Sequence, residues 1–234
     1  MVTGASQGIG RAIVLALVAE GAEAVLLGRR EQALRDVVLE TGPDGCSRCA
    51  VLVVDLASEQ SLRHGAGVVL EADDPLDLVV HCGGQYARGR IRDGAVGDLD
   101  LQYSLTVRAP YLLTQLLLDK LRAQPSDVVF LGSPVRPAAE ISAYACGHAA
   151  QQALVRALRD EVRGEQIRVL NVFPGRTATP RQERVFELEG RADSYRPGLL
   201  LQPGDVAQLV LDALGLPRRA EVTELWLRPS QPSY

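Results

Sequence analysis

The chain has 234 residues, 47% of them hydrophobic and 23% charged, with a net charge of −4. That is an ordinary composition for a globule, and the chain is long enough to bury a large core. The net acidity argues against nucleic-acid and membrane-surface binding, no apolar run is long enough to span a bilayer, and four cysteines do not suggest a disulfide scaffold. No signal-peptide pattern opens the sequence, so a cytoplasmic protein is expected.

Only Met1, Val2 and Thr3 precede the first glycine. A central strand usually has about five or six residues, so this one is short or begins upstream. The stretch Thr3-Gly4-Ala5-Ser6-Gln7-Gly8-Ile9-Gly10 then places three glycines just before a helical pattern. Glycine lets the chain turn sharply and lets a phosphate approach the main chain. A helix start offers unpaired N–H groups and the positive end of a dipole. The stretch therefore predicts a dinucleotide site, although Gly-x-x-x-Gly-x-Gly differs from the common Gly-x-Gly-x-x-Gly. Ile13, Val14, Leu17 and Val18 give helical spacing over 10–20, and Gly21 ends it.

Residues 24–27 read as a buried parallel strand ending in Gly28-Arg29-Arg30. An NAD site places a carboxylate at this point, and an NADP site places arginine for the 2′-phosphate. Arg29 and Arg30 therefore favour NADP(H) over NAD(H), since a guanidinium grips phosphate with paired hydrogen bonds. A helix follows over 31–41, then a polar loop. Cys46-Ser47-Arg48-Cys49 has no second cysteine pair at matching spacing, so no metal is expected there. A third strand, 51–54, ends at Asp55-Leu56, where the carboxylate can meet an adenine amine or cap the next helix, 58–71. The fourth strand, 77–80, closes in His81-Cys82-Gly83-Gly84, small residues that let a cofactor lie close. A long helix covers 98–121 and the fifth strand 128–131, followed by Gly132-Ser133-Pro134. Another long helix covers 142–163 and carries Tyr144 and His148 one turn apart. The sixth strand, 167–173, runs into Pro174-Gly175. Residues 176–202 look irregular and rich in arginine. A helix over 205–214 and a strand over 221–227 follow. Alternating strands and helices predict a single α/β domain. Its architecture would be a Rossmann-like, doubly wound, mostly seven-stranded parallel sheet with helices on both faces.

These residues together resemble the short-chain dehydrogenase/reductase family. Thr3-Gly4-x-x-x-Gly8-x-Gly10 matches its cofactor loop, Asp55-Leu56 its adenine contact, and 77–84 its Asp-x-x-Val-Asn-Asn-Ala-Gly segment. Ser133, Tyr144 and Pro174-Gly175 fall where the family has its catalytic serine, catalytic tyrosine and Pro-Gly turn, with Thr177 just beyond. The resemblance implies a homodimer or homotetramer acting on a small carbonyl or alcohol. It also implies cofactor contacts at Cys82, Gly83, Gly84, Tyr144, His148, Pro174, Gly175 and Thr177.

Departures from the family pattern lie at its chemistry. Tyr-x-x-x-Lys has become Tyr144-Ala145-Cys146-Gly147-His148, and the active-site asparagine aligns with Thr106. A carbonyl accepting hydride needs a proton, which the family's tyrosine gives while its serine holds the same oxygen. An unperturbed phenol titrates near ~10, so a nearby cation is needed to favour phenolate near neutral pH. His148 is a cation only below about pH 6.5, yet as a neutral ring it can bond the ribose. Two readings stand: an NADP(H)-dependent ketone/alcohol oxidoreductase, or a non-catalytic relative that binds NADP(H) as a sensor or partner subunit. A methyl-donor site would want an acidic residue where Gly28-Arg29-Arg30 stands. In the arginine-rich segment, Phe186, Leu188, Tyr195 and residues 199–201 are expected as pocket walls. Arg181, Arg184, Arg191 and Arg196 are candidate ligands for an anionic substrate.

Overall fold

The computed structural model describes residues 1–231. Seven parallel strands form a sheet in the order β3-β2-β1-β4-β5-β6-β7. They are β1 Val2–Thr3, β2 Ala24–Gly28, β3 Cys49–Val53, β4 Leu78–His81, β5 Ser126–Leu131, β6 Ile167–Pro174 and β7 Glu224–Leu227. The helices are α1 Gly8–Ala19, α2 Glu31–Glu40, α3 Gly42–Cys46, α4 Glu59–Glu71, α5 Val96–Tyr103, α6 Ala109–Arg122, α7 Ser142–Glu161, α8 Pro180–Leu188 and α9 Pro203–Leu214.

The strands are apolar on both faces because helices cover both. In β5, Val128 and Phe130 face one core and Val129 the other. One core packs α4, α6 and α7 through Leu62, Leu113, Leu117 and Val155. The other packs α1, α2 and α9 through Ile13, Val14, Leu34 and Val206. Each such fully buried side chain contributes about 1.5–3 kcal/mol.

The two-residue β1 nonetheless lies mid-sheet, pairing Thr3 with Leu27 on one side and His81 on the other. Its side chain reinforces the pairing: Thr3 Oγ1 accepts the N–H groups of Cys82 (3.0 Å) and Gly83 (3.2 Å). The strand order reverses between β1 and β4, so the chain leaves those two strands toward opposite faces and a crevice opens at their carboxyl ends.

Four elements differ from the sequence reading. The polar loop after α2 winds into the short helix α3, with proline in its first turn. The long helix over 98–121 is α5 and α6 joined by a π-helical stretch, Ser104–Arg108. The last strand is only Glu224–Leu227. Residues 176–202 are not irregular throughout: α8 forms because Thr179 accepts the Gln182 N–H at the helix start and Pro180 preorganises the first turn.

Candidate active site

A cavity of about 1040 Å³ occupies the crevice at the carboxyl ends of the strands. It runs from the glycine loop to Tyr144. At one end it is lined by Gly4, Ser6, Gln7, Gly8 and Ile9. Gly10 lies beneath rather than on the surface: a Cβ there would press into Gly4 O and stand 2.9 Å from Gly4 C. Gly4 itself has φ +66° and sits where a Cβ would be 2.9 Å from the Gly83 backbone. These glycines are required by close approach of main chain to main chain. The first turn of α1 has no acidic residue, and its N-cap Gln7 makes no side-chain cap bond. A helix start without an internal acceptor, opening on a glycine-walled cavity, fits a diphosphate.

Next to it, Gly28, Arg29 and Arg30 end β2 and line the same cavity. Both arginines are exposed, and Arg30 Nη2 donates to Gln7 Oε1 at 2.9 Å. A pair of guanidinium groups at this corner can hold a phosphate. Asp55 and Leu56 line the adjoining wall. Asp55 Oδ1 also accepts the Ala57 N–H at 3.0 Å, so the turn into α4 holds its carboxylate in place.

The far end is built by three segments. Ser133 follows β5, Tyr144 lies in the first turn of α7, and His148 stands one turn later; all three line the cavity. Tyr144 is held edge-on between Tyr86 (ring centroids 5.1 Å) and His148 (4.5 Å). The loop carrying Tyr86 is fastened to the approach of α7: Gly89 N–H donates to Glu140 O (2.7 Å), and Ser142 Oγ donates to Gly89 O (3.0 Å). Arg90 pairs with Glu140 at 2.7 Å. Cys82, Gly83, Gly84, Pro174, Gly175 and Thr177 complete the cavity between its two ends.

His148 is only 5% exposed. Burial pushes its pKa down to about 4; the Gln151 bond opposes this and the Arg181 guanidinium adds to it. Its Nδ1 lies 3.2 Å from Gln151 Oε1. An amide oxygen only accepts, so Nδ1 carries the proton and Nε2 keeps a free lone pair. The imidazole is therefore neutral across the working pH range, well below the ~6.5 of an unperturbed ring.

Thr106 lies in the π-helical stretch, 2% exposed, and lines the cavity. Its hydroxyl donates to Gln102 O at 2.6 Å, which leaves only acceptor capacity for a water. The Gln102 side chain is fully buried with neither polar atom partnered. It packs where Gly147 leaves no room for a Cβ, so α5 and α7 approach closely there. An orphaned amide of this kind is a site for a bridging water.

The family model for short chain dehydrogenases matches residues 1–190. The chain belongs to the short-chain dehydrogenase/reductase family. A relative in Sinorhizobium fredii, an uncharacterised short-chain type dehydrogenase/reductase, is 31% identical over 98% of this chain and 90% of its own length. Among solved structures, a serine dehydrogenase with NADP+ superposes at TM-score 0.88 and 21% identity, covering 100% of this chain and 95% of the other. An alcohol dehydrogenase of Thermococcus sibiricus with 5-hydroxy-NADP gives 0.87 at 24% identity, covering 100% and 97%. A Shigella flexneri short-chain dehydrogenase with NADP gives 0.86 at 26%, covering 96% and 94%. The family is one of oxidoreductases, and the parallel sheet of this short-chain dehydrogenase/reductase is the fold of those structures.

Sequence reasoning missed several residues of the cavity. Tyr86, Arg88 and Glu140 line it, and so do Thr179, just before α8, and Gln182 in its first turn. Thr179 had a legible signal, since a threonine before proline is a helix start; its methyl would lie 3.1 Å from a Cβ at Gly8. The expected walls Phe186, Leu188, Tyr195 and residues 199–201 are not lining residues. Phe186 is fully buried under the Arg176 guanidinium (4.7 Å) and the Tyr195 ring (5.4 Å), so it anchors α8 instead. Of the four candidate anion-binding arginines, only Arg181 lines the cavity. Arg184 pairs with Glu187, Arg191 lies 3.8 Å from Glu189, and Arg196 donates to backbone carbonyls.

Proposed function

We propose that the chain is an NADP(H)-dependent oxidoreductase interconverting a ketone and a secondary alcohol. The carrying observation is that Ser133, Tyr144 and the uncapped start of α1 open on one cavity, with Arg29 and Arg30 at its other corner. The NADP named in the structures of three relatives supports the choice of cofactor.

When bound, the dinucleotide would supply or accept the hydride. The α1 start and the glycine loop would hold its diphosphate, and Arg29 and Arg30 would grip its 2′-phosphate. His148 Nε2, as a neutral acceptor, would take a hydrogen bond from the nicotinamide ribose. The Ser133 hydroxyl donates to the substrate carbonyl oxygen and orients it. In reduction, the Tyr144 hydroxyl gives its proton to that oxygen; in oxidation, the phenolate takes it back. Exposed Val96, Leu99 and Tyr103 on α5 and Tyr111 on α6 support a homodimer or homotetramer packed through these helices.

The test is NADPH consumption over a broad panel of ketones, with NADPH affinity measured separately. Tyr144→Phe is expected to abolish reduction and to keep NADPH binding. Wild type and Tyr144→Phe equally inert across the panel, both binding NADPH, would establish the non-catalytic reading instead. The neutral His148 and the engaged Thr106 hydroxyl are what favour that second reading.

A further inference from the structure

The start of α8 lies against the glycine loop. Thr179 Cγ2 stands 3.1 Å from where a Cβ of Gly8 would be, and Ala178 and Pro180 share a small surface cavity with Ser6, Gln7 and Gly8. The segment is fixed there by backbone bonds: Ala178 N–H donates to Leu201 O at 2.7 Å, and Leu201 N–H to Arg176 O at 3.1 Å. Two residues beyond Thr179, Arg181 Nη2 donates to Gly84 O at 2.8 Å. Gly84 follows Gly83, whose N and Cα lie 2.9 Å from where a Cβ of Gly4 would stand. Gly4 and Gly8 are the two ends of the loop. The span from Thr179 to the Arg181 guanidinium therefore reaches from one end of the glycine loop to the other, and Arg181 lines the same cavity as Gly4 and Gly8.

The cations around the loop differ in what already holds them. Arg11 pairs with Glu40, and Arg30 donates to Gln7 Oε1 at the β2 corner. On either side of Arg181 in the chain, Arg176 pairs with Glu189 at 2.9 Å and Arg184 with Glu187 at 2.6 Å. Arg181 has no carboxylate partner among the described residues. The neutral Gly84 carbonyl takes one of its five N–H donors and none of its charge. A diphosphate bridging two nucleosides carries a negative charge on each phosphorus, whereas the α1 dipole offers only about half an elementary charge. The remainder calls for a full cation beside the loop.

We propose that Arg181 is a cofactor ligand, reaching from α8 over the glycine loop to pair with the diphosphate of the dinucleotide. The helix α8 is then a wall of the cofactor site. The diphosphate is common to both nicotinamide dinucleotides, so Arg181 acts on both alike, unlike Arg29 and Arg30. The inference rests on the dinucleotide reading in the proposed function.

The test is calorimetric titration of NADP+, NAD+ and ADP-ribose, which share only the adenosine half and the diphosphate with its second ribose. In Arg181→Met all three are expected to weaken by the same factor, about 10-fold, the loss of one charged hydrogen bond. Arg181→Gln, which keeps a donor for Gly84 O without the charge, is expected to lose as much, and Arg181→Lys to recover most of it. Arg184→Met and Arg88→Met are expected to change none of the three. Undiminished ADP-ribose affinity in Arg181→Met overturns the proposal. A loss confined to NADP+ and NAD+ would then put the guanidinium on the nicotinamide, and one confined to NADP+ on the 2′-phosphate. Full affinity in Arg181→Gln overturns it as well, leaving only the fastening to Gly84, and an equal loss in Arg88→Met reduces it to a diffuse field. A wild type that binds none of the three removes the proposed cofactor and this inference with it, whereas binding without ketone reduction sinks only the proposed reaction.

Discussion

Acidification should unfold this protein through its buried histidines, and His148 gives the cleanest measure. In the folded state burial holds its pKa at about 4, whereas an unfolded imidazole titrates near ~6.5. The folded pKa is depressed, so the neutral form is the one the fold prefers. Below about pH 6.5 the unfolded chain binds a proton that the native state refuses, and stability falls until pH reaches the folded pKa. Each pH unit in that window costs about 1.4 kcal/mol per histidine, so His148 accounts for roughly 2 kcal/mol between pH 7 and pH 5. His81 adds a parallel loss: burial and then the nearby chain terminus lower its pKa to about 3, while its Nε2 sits 2.9 Å from Thr114 Oγ1. The assay is urea unfolding of wild type and His148→Gln at half-unit steps of pH. The variant should lose roughly 2 kcal/mol less than wild type over the window. Parallel curves would refute the argument, since they would mean the ring is as free to protonate in the native state as in the unfolded chain.

Two further outcomes test the cofactor end, and a third tests the stability of α4. Gly10→Ala places a methyl against the Gly4 carbonyl, so it should cost about 1–3 kcal/mol in urea unfolding and abolish NADPH binding. Gly67→Ala, with open space around its Cβ on α4, should instead stabilise by roughly 0.5–1 kcal/mol. Arg29→Ala with Arg30→Ala should weaken NADPH by about 10- to 100-fold and leave NADH nearly unchanged, as read by fluorescence titration. Equal losses for both nucleotides would remove the 2′-phosphate from the role of these arginines.

The order of strands and helices, the glycine loop and the Arg29-Arg30 corner were legible because they rest on local chemistry. Apolar runs mark strands buried on both faces, and glycine spacing marks turns. Leu26, Leu27 and Val128 to Phe130 announce their environment within a few residues of chain. The helix α8 could have been read the same way from Thr179-Pro180. The state of His148 could not. Its neutrality comes from elements packed around α7, and desolvation is a property of that enclosure rather than of the residue. Nor could the wall residues, since Phe186 and Val185 are adjacent on one helix and only packing decides which is buried beneath Arg176 and which faces the cavity. The bond from Arg181 to Gly84 joins positions 97 residues apart. Charge placement across such a span exists only once the sheet has closed, because Coulomb interactions depend on distance in space and on how much water has been removed between the groups.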